Sequence, residues 1–260
     1  MSEQILSEST RSGWRSNRTP AARRARFLLL HSPLVGPRTL SPLAAALVRC
    51  GHSAAVPDLR SAIPASGLSL PILRSIVAQS VTDMPVQLPL VLVVHSGASA
   101  YVPVLAPELQ AAGQLLIDAV IPPRTGSFRP SADFRSELDR LVEADQHLPP
   151  WPRWWSEDVF ARLVPDPDLR EAIGRECPRL PISFYDTMID VTSDWAQTWT
   201  GYLRLSAGYE PEAAATGRLG WQVRRRTGGH LDTATQPEEV LFDLLALVQP
   251  RLDAWPETAQ

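Results

Sequence analysis

The chain reads as an α/β protein, a doubly wound and mostly parallel sheet with an inserted helical lid rich in proline and tryptophan. Three observations predict this. Short, nearly continuous apolar runs at Phe27–Leu30 (FLLL), Leu90–Val94 (LVLVV) and Gln114–Ile121 (QLLIDAVI) suit strands covered on both faces. Stretches with helical spacing alternate with them, as βαβ units require. Between Pro122 and Pro181 the alternation stops, in a segment with ten prolines and the cluster WPRWW at Trp151–Trp155, too long for a plain loop.

Taken in order, FLLL is the first strand and ends at His31. Ser41-Pro42 supplies an N-cap and a proline for the first turn of a helix, LAAALV forms its body and Gly51 stops it. Ala54–Asp58 is a second strand, and Ile72, Ile76 and Val77 place a helix over 70–81. The strand at 90–94 follows, then a helix over 98–112 that tolerates Pro103, then the strand at 114–121. After the inserted segment, Ile182–Tyr185 predicts a strand, Tyr202 to about Arg218 a helix, and Trp221–Val223 the last strand. Thr235 and Glu238 read as a capping box around Pro237, opening a final helix with Val240, Leu241, Leu244, Leu245 and Val248 on one face. The expected division is a flexible leader at 1–25, a core at 26–121 and 181–260, and a lid at 122–180.

Composition excludes several classes. With 260 residues, 44% of them hydrophobic, the chain can bury one sizeable core. A net charge of -3 provides no basic surface for nucleic acid. All 25 cationic residues are arginine, a composition that carries no mechanism. Cys50 and Cys177 make neither a disulfide framework nor a metal-ligand spacing. Residues 1–25 lack the apolar core of a signal peptide, and no run is long enough to span a membrane. The expectation is a cytoplasmic protein with no cofactor, no metal, and no nucleic-acid or membrane partner.

The chemistry centres on VLVVHSGAS, Val91–Ser99, where a buried strand stops on a polar triplet. A serine hydroxyl attacks a carbonyl only with a base in reach, a carboxylate to orient that base, and N–H donors for the oxyanion. Ser96 stands where strand meets helix, and the small Gly97 and Ala98 permit a tight turn. Gly97 also offers an N–H beside the nucleophile. His230 lies in Gly228-Gly-His-Leu231, between the last strand and the final helix, and is the candidate base. Asp190, Asp186 and Asp118 are the candidate acids, any of which could orient the histidine. His31 and His95 flank the site as packing or hydrogen-bonding residues, His52 and His147 read as exposed, and Arg224–Arg226 as a solvated strand end.

FLLLHSPLVGP, VVHSGAS, PISFYDTMID and GGHL together resemble the α/β-hydrolase superfamily over about Arg26–Trp255. The resemblance implies Ser96 as nucleophile, His230 as base and Asp190 as acid, with Gly97 and either Leu34 or Ser32 as oxyanion donors. Two positions depart from the pattern. Val94 replaces the small residue usual two before the serine, and Pro33, without an N–H, occupies a frequent donor position. The implied activity is acyl transfer from an ester or thioester to water or to a thiol or hydroxyl acceptor.

Trp151, Trp154 and Trp155 either anchor the lid or line an acyl pocket for a flat, hydrophobic group. A closer resemblance is to α/β-hydrolase-like acyltransferases of thiopeptide biosynthesis, which implies an aromatic acyl group carried on a protein thioester. The competing reading is a binding protein, lyase or cyclase on the same fold, favoured by Val94 and Pro33.

Overall fold

The computed structural model describes residues 23–191 and 193–256. The expected leader at 1–25 falls, up to residue 22, outside the described residues. At its end Ala25 is already buried, its N–H bonded to His52 Nδ1 at 3.2 Å.

Strands β1 (Arg26–Leu30), β2 (Ser53–Ala55), β3 (Leu90–His95) and β4 (Gly113–Ile117) belong to the main sheet. A two-stranded ribbon is built from β5 (Gly126–Phe128) and β6 (Ile189–Val191), and β7 (Thr200–Arg204) and β8 (Gln222–Arg225) complete the main sheet. Its order is β2-β1-β3-β4-β7-β8, every neighbouring pair parallel. The chain leaves β1 to one side for β2 and returns to the other for β3. Ligands of open parallel sheets bind at such a reversal, beyond the carboxyl ends of the strands.

Alternating side chains explain why the apolar runs form buried strands. Leu28 and Leu30 of β1 join Leu90, Leu92 and Val94 of β3 in a core on one face of the sheet. Phe27, Leu29, Val91 and Val93 belong to the core on the other. The first core is closed by α2 (Leu70–Thr82) and α3 (Val102–Glu108), the second by α1 (Ser41–Arg49) and the C-terminal helix Pro237–Asp253. Among the described residues no helix is long and apolar enough to cross a membrane.

Several expected elements differ. Ile182–Asp186 is a 3₁₀ turn rather than a strand, and the chain beyond it enters the ribbon through β6. The strand beside β4 is β7, in a region whose pattern suggested a helix. A threonine, a glycine and an arginine within TGYLR hide its buried, paired state. The proposed capping box is absent: Thr235 ends the short helix Asp232–Thr235, and Gln236 precedes Pro237 without a side-chain cap. Ser41 is the first residue of α1, behind Leu40.

The segment 122–180 contains β5, α4 (Ala132–Leu141), a 3₁₀ turn at Trp151–Trp154, α5 (Glu157–Leu163) and α6 (Pro167–Glu176). Its buried residues Phe160, Val164 and Ile173 pack with Val35, Leu231 and Ala234 of the sheet-bearing part.

Candidate functional site

Five strands of the main sheet, β1, β3, β4, β7 and β8, are followed by polar side chains of the site. Ser96 follows β3 with φ 57°, a left-handed conformation that a residue bearing a Cβ seldom adopts. Val94 does not prevent this turn, because its side chain is buried in the core beneath the sheet. The six residues Ser96–Tyr101 form a 3₁₀ turn leading into α3. Asp118, directly after β4, is left-handed as well, at φ 41°.

The carboxylate of Asp118 is fully buried and collects donors from the end of β7. Leu205 N–H reaches Oδ1 at 2.6 Å, Ser206 N–H reaches Oδ2 at 3.0 Å, and the Ser206 hydroxyl reaches Oδ2 at 2.6 Å. His230 Nδ1–H donates to the same Oδ2 at 3.1 Å. Burial alone raises this carboxyl group, but the bonds from His230, Ser206 and Leu205 outweigh it and hold Asp118 below the ordinary aspartate value. The acceptor fixes a hydrogen on Nδ1 of His230 and so leaves Nε2 of the neutral ring as its lone-pair nitrogen.

Asp190 is therefore not the partner of the imidazole. It is the exposed middle residue of β6, opposite Ser127 of the ribbon and between the buried Ile189 and Val191, while Asp186 pairs with Arg135 at 2.9 Å. Residues 182–191 form the turn and the ribbon, and the described hydrogen bond of the imidazole goes to neither carboxylate. The order serine, aspartate, histidine is retained with Asp118 in the middle.

The flanking histidines are committed. His31 donates from Nδ1 to Ser32 O at 2.8 Å and accepts Leu59 N–H on Nε2 at 3.0 Å, and its burial lowers its pKa. His95 donates from Nε2 to the carbonyl of His230 at 2.9 Å, steadying the loop that carries the imidazole. Burial pushes His95 down to about 3, so its ring is neutral. His52 is buried rather than exposed, and Arg226 is enclosed by Asp232, Glu239 and Asp243 rather than solvated.

At the opposite wall, the β1–α1 loop approaches Gly97. A Cβ there would lie 3.3 Å from Pro33 Cδ and 3.5 Å from Ser32 Oγ, contacts that keep this position small. The Leu34 N–H is engaged with Ser32 Oγ at 3.4 Å. That bond uses Ser32 as acceptor, and its hydroxyl hydrogen has no acceptor among the described residues.

A cavity of about 1090 Å³ joins these groups, lined by Ser32, Ser96, Gly97 and His230. Trp151, Trp154 and Trp155 all face it, along with Phe128, Phe134 and Phe184. Two of the tryptophans also hold their own segment in place. The Trp151 ring meets Phe160 edge-on at 6.2 Å, and Trp154 Nε1–H donates to Pro149 O at 2.8 Å. Anchoring and lining are the same residues' work. The Trp151 ring centroid is 6.3 Å from that of His230.

One lining residue escaped the sequence reading. Tyr209 closes the 3₁₀ turn Ala207–Tyr209, its Oη 3.4 Å from Ser96 Oγ and its ring stacked on His230. The usable signal was positional: once TGYLR is recognised as a strand, residues just beyond it become site candidates like those beyond β3 and β4. Ser96 makes its described side-chain hydrogen bond to Tyr209, and none joins it to His230.

A parallel, doubly wound sheet with a strained serine after one inner strand and a histidine after the last is the α/β-hydrolase fold. No protein-family model matches the sequence, and no curated protein matches it. Solved structures do match. An extracellular α/β-hydrolase from a Paenibacillus species, described as sharing structural and functional homology with tobacco salicylic acid binding protein 2, superposes with TM-score 0.64 at 15% identity, over 86% of this chain and 98% of that one. Polyneuridine aldehyde esterase gives 0.63 at 16%, over 86% and 99%. A pyrethroid hydrolase from Sphingobium faniae gives 0.59 at 15%, over 89% and 98%.

Proposed function

We propose that this protein is a serine-nucleophile enzyme that cleaves an ester or thioester through an acyl-enzyme, with Ser96 as nucleophile, His230 as base and Asp118 as the orienting carboxylate. The observation that carries the reading is the strained Ser96 facing the same cavity as an imidazole whose Nδ1 is held by a buried carboxylate. Strain in a non-glycine residue at a cavity is a feature of functional sites.

Rotation about the Ser96 Cβ–Oγ bond turns the hydroxyl hydrogen from Tyr209 towards Nε2 of His230, while Oγ stays beside the Tyr209 hydroxyl. As the Oγ–H bond breaks, its proton passes to Nε2 and Oγ bonds to the substrate carbonyl carbon. The bond to the leaving oxygen or sulfur then breaks, the leaving group takes the electron pair, and the imidazolium returns the proton to it. Asp118 stays ionised and stabilises the imidazolium. The Gly97 N–H and the free hydroxyl hydrogen of Ser32 stand in for the donor that Pro33 lacks.

The aromatic, mainly apolar lining favours a flat hydrophobic acyl group. Of its charged side chains, Glu137 and Arg140 neutralise one another at 2.6 Å. The finer proposal is an aromatic acyl group delivered as a carrier-protein thioester, with water or a thiol or hydroxyl acceptor completing the reaction. The esterase and hydrolase names of the structural neighbours lend the thiopeptide resemblance no support, so that part rests on the tryptophan-rich pocket alone.

A fluorophosphonate probe tests the nucleophile: the wild type is labelled and Ser96→Ala is not. An aryl-acyl thioester followed by intact mass then tests the acyl-enzyme, and added thiol or alcohol separates transfer from hydrolysis. Serine-independent labelling, or none, sinks the enzymatic reading in favour of a binding protein.

A further inference from the structure

Tyr209 touches both halves of the proposed catalytic pair. Its hydroxyl is 3.4 Å from Ser96 Oγ, and its ring lies over that of His230 with centroids 5.1 Å apart and planes 6° from parallel. Its placement is built in from both sides. Ser206, which opens the turn, is bound to Asp118, and Glu210, which follows Tyr209, pairs with Arg204 at 3.1 Å and Arg225 at 2.9 Å.

We propose that Tyr209 is a further catalytic residue: its hydroxyl donates to Ser96 Oγ as that oxygen loses its proton, and its ring face stabilises the imidazolium that His230 becomes. This rests on the reading of Ser96 as nucleophile. Tyr209 keeps its own proton throughout, because burial pushes the phenol up to about 12. The charge that develops on Oγ is met by a donor already aimed at it, and the positive charge on the imidazole is met by the electron-rich face of an aromatic ring. The other titratable groups around this pair are Asp118, His95 and Glu212, the last a cavity-lining side chain on the helix that follows Tyr209.

The test separates hydroxyl from ring. Rates of Ser96 labelling by a fluorophosphonate, and kcat and KM for a p-nitrophenyl arylacetate, are measured for wild type, Tyr209→Phe, Tyr209→Leu and Tyr209→Gln. Tyr209→Phe keeps the stack and loses the donor, so labelling and kcat are expected to fall about tenfold with KM nearly unchanged. Its acid limb in the pH–rate profile stays in place. Tyr209→Leu loses both functions, falls further, and moves that limb to lower pH as the imidazolium loses its aromatic neighbour. Tyr209→Gln restores a donor without the ring and is expected to label faster than Tyr209→Leu, which a folding defect would not produce. If the wild type labels at Ser96 and Tyr209→Phe labels and turns over equally fast, the role of Tyr209 is overturned while the serine reading stands. If the wild type is not labelled, both fall together.

Discussion

Replacing Asp118 by asparagine is the substitution on which the site geometry makes its sharpest prediction. The carboxylate accepts from Leu205 N–H at 2.6 Å on one oxygen, and from Ser206 N–H, the Ser206 hydroxyl and His230 Nδ1–H on the other. An asparagine carbonyl must take the Oδ1 position, since an NH₂ there would face the close Leu205 N–H. The NH₂ then faces His230 Nδ1, which can only accept from it, so the ring hydrogen moves to Nε2 and the base is lost in its useful tautomer. A loss of about 10³ to 10⁴ in kcat, or roughly 4 to 5 kcal/mol of barrier, is expected. Ser206 N–H also loses its nearer acceptor, and the charge-assisted bonds become neutral, costing about 2–3 kcal/mol of stability. The assays are turnover of a p-nitrophenyl ester and urea unfolding, with Asp190→Asn as the parallel variant. Asp190 is exposed and has no described bond to the imidazole, so its variant is expected to match the wild type. Activity of Asp118→Asn within threefold of wild type, or an equal loss in Asp190→Asn, refutes the assignment.

Three further outcomes follow from the same structure. His95 titrates from 6.5 when unfolded to about 3 when folded, so the unfolded chain binds the extra proton between those values and stability drops as pH falls from about 6.5. The His95 contribution is at most about 1.4 kcal/mol per pH unit. His31 and His52 shift in the same direction. His95→Gln should therefore flatten, without abolishing, the slope of unfolding free energy between pH 7 and 5. Gly228→Ala drives a Cβ into the Asp232 carboxylate, which lies 3.5 Å from Arg226. It is expected to lower Tm by several degrees and to weaken turnover by displacing the His230 loop, read by calorimetry and ester hydrolysis. Trp151→Ala removes pocket wall beside His230 and the edge contact with Phe160. KM for an aryl ester should rise about tenfold more than KM for an acetyl ester, and a uniform change would show that Trp151 only anchors its segment.

Asp118 and Tyr209 show where sequence reading stops. Ser96 and His230 were legible because each is marked locally: one follows five apolar residues, the other sits in a glycine-rich loop before a well-patterned helix. Asp118 was visible as an aspartate at a strand end, but so were two rivals. Choosing among them required knowing that β7 lies beside β4 and that its end supplies the donors for a buried carboxylate. The strand itself was missed because Thr200 and Gly201 interrupt the apolar pattern, and Gly201 is there for close packing against Trp199 and Leu115, a contact with no local trace.

Local patterning alone determined the α/β class and the inner strands β1, β3 and β4, and it singled out Ser96 and His230, the proposed nucleophile and base. These depend on runs of neighbouring residues whose burial is written into their own hydrophobicity. The carboxylate that holds His230 and the stacking of Tyr209 on the imidazole were decided only by tertiary structure. Each joins residues far apart in the chain, 112 positions in the case of Asp118 and His230. A hydrogen bond depends on where a donor and an acceptor meet, and the fold, not the spacing, sets that place.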